Sequence, residues 1–575
     1  MDNKKIAKVF DEMADILDIK GDTQFRINAY RRAALVISNL PKDLRIMVDK
    51  DPDEIAEIAG IGESLKDKIV ELIHTGQCKS HLKLKKGFPS GLLEMLKIHG
   101  LGPKKVKLFY KKLKITTIKQ LKKAAEQGKL SKLEGMGEKS EKAILKSIEE
   151  YSSFSHDRFL IHEAYMEAMN YKDYLNQNKQ IKKIEYAGSL RRFKETIGDI
   201  DILATIKNNA SSEVIMEHFV NYKEVLNVAA KGKTKSSVIL ESGIRVDLRV
   251  VDDECFGAAM HYFTGNKAHN IRIRDRAKQK GLKINEYGVF KDDKLIAGKT
   301  EQEVFASVKL PYIIPEIRRN EGEFEYASKN KKFPDFISLK NIKGDLHIHS
   351  NYSDGKYSVE EMVIACIEKG YKYMAISDHS SLVGITGGMK EKDVIKQGKE
   401  IDKLNKKYRS SIKIYKSSEV DILRDGSLDF SDKILSSLDV VIASVHTNFS
   451  LSENEQTARI IKALENKYVK ILGHPFNRLI NKRESIKFDF EKVVKACVHN
   501  NVALEINSNP KRLDLIDKYV KPAKEMGAKF VINTDAHSPG QLEFMVYGVG
   551  VGRRGWLDKR DVLNSYSVNK FDNYI

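Results

Sequence analysis

The sequence predicts a multidomain protein with a helical N-terminal region, a central α+β domain and a C-terminal α/β barrel. The chain has 575 residues, more than one hydrophobic core supports. Its first 150 residues have helical periodicity, whereas residues 344–575 alternate short apolar runs with helical stretches. We expect domains at 1–90, 91–150, 151–255, 256–317 and 344–575, with a charged, poorly periodic linker at 318–343.

Composition favours a polyanionic partner and argues against a membrane or secreted protein. The net charge is +20 and the pI is near 9.3. The sequence contains neither an apolar run of membrane-spanning length nor a signal peptide. The four cysteines lie far apart and fit no disulfide or zinc framework. We therefore expect a reduced, cytoplasmic protein that does not bind membranes.

One short motif recurs in the first 150 residues: glycine, an apolar residue and glycine, followed by a lysine-rich helix. Its glycines are Gly60 and Gly62, Gly100 and Gly102, and Gly135 and Gly137. Glycine lets the turn adopt positive φ and lets the backbone approach a ligand closely. The next helix then directs its free N–H groups at an anion. A single motif is only a helix connection, but three resemble the helix-hairpin-helix motif, which implies a grip on DNA phosphates without reading of bases.

Acidic residues on predicted strands indicate a metal site in the central domain. Asp199 and Asp201 are two residues apart in a strand and so share one face. Asp247 lies in the middle of another alternating strand, where an unused charge is costly. Carboxylates side by side repel unless a cation lies between them, and oxygen ligands suit Mg²⁺. The alternative, a solvated strand end, is weakened by the Gly188–Ser189 turn that precedes this motif.

The C-terminal region carries a second set of candidate ligands, mostly placed where apolar runs end. They are His347, His349, Asp354, His379, Glu419, His446, His474, Asp535 and His537. One histidine at a strand end is usually structural, but so many predict a metal centre at the mouth of an α/β barrel. Arg424, Arg459 and Arg478 are candidates for holding phosphate, and Glu505 is expected to support a ligand from behind.

The central region resembles the nucleotidyltransferase palm of the family X DNA polymerases. The resemblance implies that Asp199 and Asp201 hold two Mg²⁺ ions and that Asp247 is the third ligand, near the primer terminus. It also implies a nucleotide site. The implied triphosphate contacts are Arg158, Gly188, Ser189, Arg192 and Gly198, and the implied sugar and minor-groove contacts are Tyr262, Phe263, Gly265, Asn270 and Arg274. Asn266 replaces the family's usual serine.

Two further resemblances cover most of the remaining chain. Residues 25–34 and 60–69 resemble the family's 5′-phosphate-binding domain, in which a lysine at the place of Lys68 forms a Schiff base with an abasic sugar. Lys66 is expected to lower the pKa of Lys68, and the alternative is that Lys68 only contacts phosphate. The C-terminal region resembles the PHP domain, a distorted TIM-like barrel, which implies that all nine candidate ligands hold up to three Zn²⁺ or Mn²⁺ ions.

Together these features predict a monomeric DNA polymerase of family X that acts on gapped or nicked DNA with dNTPs. The function implied is gap filling in base-excision repair, with a 3′–5′ exonuclease or AP endonuclease in the barrel. Each metal site is expected to be built within its own domain. The alternatives are a template-independent nucleotidyltransferase fused to a PHP phosphatase and a catalytically inert repair scaffold.

Overall fold

A computed structural model describes residues 3–39, 44–58, 60–96, 98, 101–153, 158–207, 210–381 and 387–575. The chain divides into two compact units, Met1–His156 and Asp157–Ile575. In the part of the chain described, each helix is too short or too polar to cross a lipid bilayer.

The first unit consists of helices joined by turns and loops, with no strand among its described residues. Its helices are α1 (Asn3–Lys20), α2 (Gln24–Asn39), α3 (Leu44–Lys50), α4 (Glu63–Thr75), α5 (Lys79–Lys85), α6 (Gly91–Met95), α7 (Pro103–Leu113), α8 (Ile118–Glu126) and α9 (Glu138–Ser153). Two apolar clusters hold these helices, one around Phe10 and Ile37 and the other around Phe109 and Leu121. The amphipathic helices bury their apolar faces there and leave lysines such as Lys83, Lys104 and Lys112 exposed.

The second unit begins with a mixed sheet that forms the palm. The strands of this region are β1 (Phe159–Leu160), β2 (Ile181–Tyr186), β3 (Thr196–Ile197), β4 (Asp199–Ile206), β5 (Val225–Lys231), β6 (Lys235–Leu240) and β7 (Arg245–Val250). Strands β1 and β3 pair with each other in a separate two-stranded sheet. Among the described residues, five strands form the main sheet in the order β2-β4-β7-β6-β5. Strands β4 and β7 run parallel at its centre. Helices α10 (Ile161–Asn176), α11 (Gly188–Arg191) and α12 (Ser212–Val220) accompany it.

A smaller thumb-like region follows the palm. It contains α13 (Phe256–Thr264), α14 (Lys267–Lys278), β8 (Lys283–Asn285), β9 (Gly288–Lys291), β10 (Lys294–Ala297) and α15 (Glu301–Ser307). Strand β9 lies between β8 and β10 in an antiparallel sheet. Residues of this region share an apolar cluster around Phe305 and Ile313.

The stretch 318–343, expected from its charge to be a loose linker, is packed into the fold. Arg318 is fully buried and donates to Glu301 at 2.6 Å. Helix α16 (Glu323–Lys329) follows, with Glu323 buried against His269. The expectation failed because burial and pairing of charged residues cannot be read from composition. The domain boundaries themselves stay a prediction.

The remaining chain forms an α/β barrel, as predicted. Its strands are β11 (Gly344–Ile348), β12 (Tyr373–Ile376), β13 (Lys413–Asp421), β14 (Val440–Ser444), β15 (Val469–Leu472), β16 (Ala503–Asn507) and β17 (Phe530–Asn533). The helices are α17 (Val359–Glu368), α18 (Glu391–Lys407), α19 (Asp432–Leu435), α20 (Glu453–Leu464), α21 (Phe490–His499), α22 (Asp517–Glu525), α23 (Met545–Arg554) and α24 (Val568–Asp572).

The barrel strands are parallel and adjacent in sequence order, seven of them within the described residues. A parallel bridge between Ile348 and Ala536 brings the first strand beside the last. All carboxyl ends of these strands therefore meet at one mouth, where the candidate ligands are expected.

Candidate functional site

The palm sheet brings the three predicted carboxylates to one face. Asp199 and Asp201 alternate with Ile200 and Ile202, which are buried in the core. Asp247 on β7 is the direct register partner of Asp201 on β4. Adjacent parallel strands thus place side chains from sequence-distant segments next to each other.

Electrostatics mark this face as a site for a cation. Burial, together with the charges of Asp199 and Asp247, raises the pKa of Asp201 to about 7. Burial alone would raise the pKa of Asp247, but hydrogen bonds from Arg245 and Ser237 outweigh it and lower that pKa. The Arg245 contact measures 2.9 Å and Lys235 lies 3.4 Å away. Crowded carboxylates of this kind fit a divalent ion with oxygen ligands.

The predicted triphosphate turn lies directly beside these carboxylates. Gly188 has φ +63°, and a Cβ there would lie 2.4 Å from Oδ2 of Asp201, so only glycine fits. A main-chain hydrogen bond of 3.1 Å from Lys194 to Ser189 closes the turn. Arg158 donates to Thr196, and its Nη1 would lie 3.2 Å from a Cβ on Gly198. The structure therefore gathers the predicted triphosphate contacts around one turn.

Arg192 connects the turn to the predicted sugar-binding segment. Its Nη1 donates to the carbonyl of Thr264 at the end of α13. Gly265 follows with φ +66°, and a Cβ there would lie 3.3 Å from Arg192 Nη1. Burial and the nearby Arg554 lower the pKa of Arg192 to about 10, which indicates a crowded cationic surface.

The rest of the predicted nucleotide segment lies on α13 and α14. The rings of Tyr262 and Phe263 are 5.0 Å apart in an edge arrangement, both half-buried. Asn270 donates to the carbonyl of Tyr262 at 2.7 Å, and Arg274 donates to the carbonyl of Asn270 at 3.1 Å. The first bond connects the end of α13 to α14, and the second lies within α14.

The hairpin glycines have the geometry expected of an anion-binding turn. Gly60 and Gly135 have φ of +101° and +76°. Gly62 and Gly102 are the N-caps of α4 and α7. Gly137 immediately precedes α9, and Gly100 lies outside the described residues.

Three of these glycines have open space where a side chain would lie. A Cβ at Gly62, Gly102 or Gly137 would meet no atom of the described residues within 4 Å. The protein's own packing therefore does not demand glycine at these three positions. The open space leaves room for an external group to approach the helix N–H donors.

Lys68 lies on α4, but its surroundings differ from expectation. Its Nζ donates to the carbonyl and hydroxyl of Ser64, at 2.6 and 2.8 Å. Lys66 is bound by Asp53 and Glu63, each at 2.6 Å. Those carboxylates raise the pKa of Lys66 and compensate its charge, so it is a poor source of repulsion for Lys68. The sequence could not show this, because Asp53 belongs to a short 3-10 helix, Pro52–Ile55, that is separate from α4.

The nine predicted barrel ligands converge at the mouth. Eight of them form three overlapping groups, and within each group the ligand atoms lie within 4.8 Å of one another. The groups are His349, Asp354, His379 and His537; His347, His349 and Asp535; and His379, Glu419 and His446. Nε2 of His474 completes the set at 2.7 Å from Oε1 of Glu419. In the described part of the chain, groups this tight lie in the barrel and not in the palm. Asp247 instead turns its oxygens to Arg245 and Lys235.

The donors at this mouth fit transition-metal ions. Among the described residues, buried atoms without a hydrogen bond include Nε2 of His347 and both ring nitrogens of His349. Buried polar atoms are rarely left unpaired, so such a cluster indicates ligation. Nitrogen donors combined with carboxylates suit Zn²⁺ or Mn²⁺ better than Mg²⁺.

Residues behind the ligands orient them. Glu505 contacts Nδ1 of His347 at 2.7 Å and accepts from the main chain of His474 at 2.8 Å, as predicted for a supporting residue. Asp421 contacts Nδ1 of His446 at 3.0 Å and was missed. Its sequence signal was its position two residues after Glu419 on β13.

Two of the arginines considered for phosphate binding have structural partners instead. Arg459 is buried and donates to the carbonyls of Leu423 and Thr447 at 2.7 and 2.8 Å. Arg478 lies 2.6 Å from Glu195 of the palm. Sequence offered no signal for this pairing, because the two residues lie 283 positions apart in the chain.

Comparison with known families agrees with this architecture. Family models match as a helix-hairpin-helix domain at residues 1–78 and a SAM-like helix-hairpin-helix tandem at 92–150. Others match as a DNA polymerase beta thumb at 259–319 and a PHP domain at 345–509.

Similar proteins match either the whole chain or a part of it. A probable phosphatase of Thermoanaerobacter sp. (strain X514) is 29% identical over 40% of this chain and 93% of its own length. A probable phosphatase of Caldanaerobacter subterraneus is 33% identical over 22% of this chain and 51% of its own. The DNA polymerase/3′-5′ exonuclease PolX of Bacillus subtilis (strain 168) is 38% identical over 100% of this chain and 99% of its own length. The chain therefore belongs to the family X DNA polymerases that carry a C-terminal PHP exonuclease domain.

Proposed function

We propose that this family X polymerase fills short gaps in DNA during base-excision repair and that its barrel removes or processes 3′ ends. The single observation that supports this best is the presence of two different candidate metal centres in one chain. One is a carboxylate face in the palm, and the other is a histidine-rich mouth in the barrel. Gapped or nicked DNA and dNTPs are the proposed substrates, and a cytoplasmic monomer is the proposed form.

In the palm, Asp199 and Asp201 would hold two Mg²⁺ ions, and Asp247 would complete the site beside the primer terminus. Divalent ions there supply charge neutralisation for in-line nucleotidyl transfer. Asp247 would orient the primer 3′-hydroxyl, while Arg192 and the Gly188–Ser189 turn would bind the triphosphate. The edge formed by Tyr262 and Phe263 would exclude a ribonucleotide's 2′-hydroxyl.

In the barrel, the nine ligands would hold up to three Zn²⁺ or Mn²⁺ ions. These ions supply an activated water and phosphate polarisation for phosphodiester cleavage. Glu505 and Asp421 would keep His347 and His446 with Nε2 facing the mouth, because each accepts from the opposite ring nitrogen.

Lys68 remains a candidate for a lyase step on a 5′-deoxyribose phosphate. Its exposed amine can reach a ligand from α4, although Lys66 gives it no evident help. Borohydride should trap a covalent adduct in the native protein and none in Lys68→Ala. A native protein that never traps would leave phosphate contact as the role of Lys68.

The proposal is tested with one labelled gapped duplex in Mg²⁺ or Mn²⁺, with and without dNTPs. We expect extension to the end of the gap when dNTPs are present and shortening from the 3′ end when they are absent. Equal extension of a single strand would instead favour the template-independent alternative. Loss of all turnover in every metal would favour an inert scaffold.

A further inference from the structure

The palm turn that carries Arg192 is held by side chains of the barrel. Nη1 of Arg554, the last residue of α23, donates to the main-chain carbonyl of Arg192 at 2.7 Å. Nε of the same arginine contacts Asp517 at 2.6 Å, and Asp517 also accepts from Arg319 at 2.8 Å. The Arg554 side chain is only 9% exposed, so this contact lies inside the unit.

A second barrel arginine holds the other end of the turn. Nη2 of Arg478 contacts Glu195 at 2.6 Å. Arg478 also donates to the carbonyls of Arg512 and Leu513, at 2.8 and 2.7 Å. Two main-chain carbonyls of the barrel fix this guanidinium. The guanidinium in turn holds the Glu195 carboxylate in place relative to the barrel.

Between these two arginines the turn packs against α23. Gly550 faces Phe193, and a Cβ at Gly550 would lie 2.3 Å from an atom of that ring. Phe193 itself has φ +50°, a conformation that a non-glycine residue keeps only when its surroundings fix it. The shape of residues 192–195 therefore depends on the barrel surface.

This arrangement concentrates positive charge next to the palm carboxylates. Burial and the charges of Arg158, Arg192 and Arg554 lower the pKa of Lys194. Positive charges held close together repel one another, and a bound polyanion reduces that repulsion. A triphosphate carries the charge that this surface lacks.

We propose that Arg554 and Arg478 are positioning residues for DNA synthesis: the exonuclease barrel fixes the 192–195 turn so that Arg192 meets the incoming triphosphate. The proposal rests on the proposed role of Arg192 in nucleotide binding. In this proposal the barrel supports the shape of the polymerase site, but no barrel residue takes part in nucleotidyl transfer.

The test measures KM and kcat for dNTP on a gapped duplex, using the full chain. Arg554→Ala should raise KM roughly tenfold, as expected for losing a charge-assisted hydrogen bond that orders a binding group, with a smaller change in kcat. Arg554→Lys should give an intermediate KM, because one ammonium keeps the charge but cannot reproduce the forked contacts with Arg192 and Asp517. Exonuclease activity on the same duplex should stay near the native value.

Arg553→Ala is the matched control. Arg553 is the preceding residue on α23 and also forms an ion pair, with Glu316 at 2.6 Å, but it makes no contact with the turn in the described residues. Its substitution should leave the KM for dNTP unchanged. An equal rise in KM for Arg553→Ala and Arg554→Ala would overturn the proposal, as would an unchanged KM in Arg554→Ala.

Glu195→Ala is the second test, for use if Arg554→Ala fails to fold. Glu195 is partly exposed, so its loss perturbs packing little, and the contact with Arg478 disappears. A raised KM with normal exonuclease activity supports the proposal, and a native KM overturns it. Arg192→Ala tests the proposed role of Arg192 itself: if it leaves KM unchanged, that role fails. If it raises KM while Arg554→Ala and Glu195→Ala do not, only the positioning role fails.

Discussion

Asp201 carries the strongest electrostatic conflict among the palm carboxylates. Burial and two neighbouring carboxylates raise its pKa from 3.8 to about 7. A carboxyl whose pKa is higher in the folded state stabilises the fold at low pH. That contribution falls as pH rises from about 4 to about 7 and is absent above pH 7.

Asp201→Asn should therefore raise the melting temperature of metal-free protein at pH 8, because it removes a buried charge. The gain should shrink as pH is lowered from 7 toward 4, where the native carboxyl becomes protonated as well. Melting curves in chelator across this pH range check the expectation. A gain that does not vary with pH would contradict the electrostatic explanation.

Asp247 should be indispensable for synthesis but not for DNA cleavage. Asp247→Ala is expected to lower gap filling by at least about a thousandfold, in line with losing a group at a reacting centre, while exonuclease activity persists. Asp253→Ala is the control, since Asp253 pairs with Lys182 and Lys183 away from this face. Native extension rates in Asp247→Ala would show that it is not a ligand.

At the scale of elements, the hairpins offer a test of DNA binding that leaves folding unchanged. Gly102 has φ −98°, and a Cβ added there would meet no described atom within 4 Å. Alanine therefore fits the N-cap of α7 without strain. The added methyl would stand between the helix N–H donors and a phosphate. Gly102→Ala should therefore weaken binding to gapped duplex several-fold with an unchanged melting temperature.

Gly540→Ala is the matched control, because a Cβ at Gly540 also meets no described atom within 4 Å and Gly540 lies in the barrel. Its DNA affinity should equal that of the native protein. Affinity measured by anisotropy at several salt concentrations checks both variants. Unchanged affinity in Gly102→Ala would count against phosphate binding at this turn.

Elements with strict local signals were predictable from the sequence. The alternation around Asp199 and Asp247 and the apolar runs before His379, His446 and His474 correspond to strands with polar ends. The segment 318–343 was not predictable, because the buried pairs of Arg318 with Glu301 and of Glu323 with His269 join residues far apart in the chain.

On the scale of the whole molecule, the second unit has one continuous apolar core from palm to barrel. Residues as distant as Ile200 and Ile532 belong to the same buried cluster. The sequence suggested two separate domains because each ligand set comes from its own segment. Contacts such as Arg478 with Glu195 depend on tertiary packing, which local patterns do not encode.

Two centres with different donors should nevertheless be separable by mutation. The proposed ions differ, because carboxylate oxygens such as those of the palm favour Mg²⁺, whereas imidazole nitrogens such as those of the barrel favour Zn²⁺ or Mn²⁺. Neither ligand set contributes a residue to the other. Palm–barrel contacts, such as that of Arg554 with the main-chain carbonyl of Arg192, involve none of the proposed ligands.

The most direct measurement is a two-by-two assay of gap filling and 3′–5′ exonuclease activity in Asp199→Ala and His349→Ala on one labelled duplex. Asp199→Ala should lose extension and keep shortening, and His349→Ala should keep extension and lose shortening. Loss of both activities in either variant, in protein with a native circular dichroism spectrum, would contradict the assignment of one chemistry to each centre.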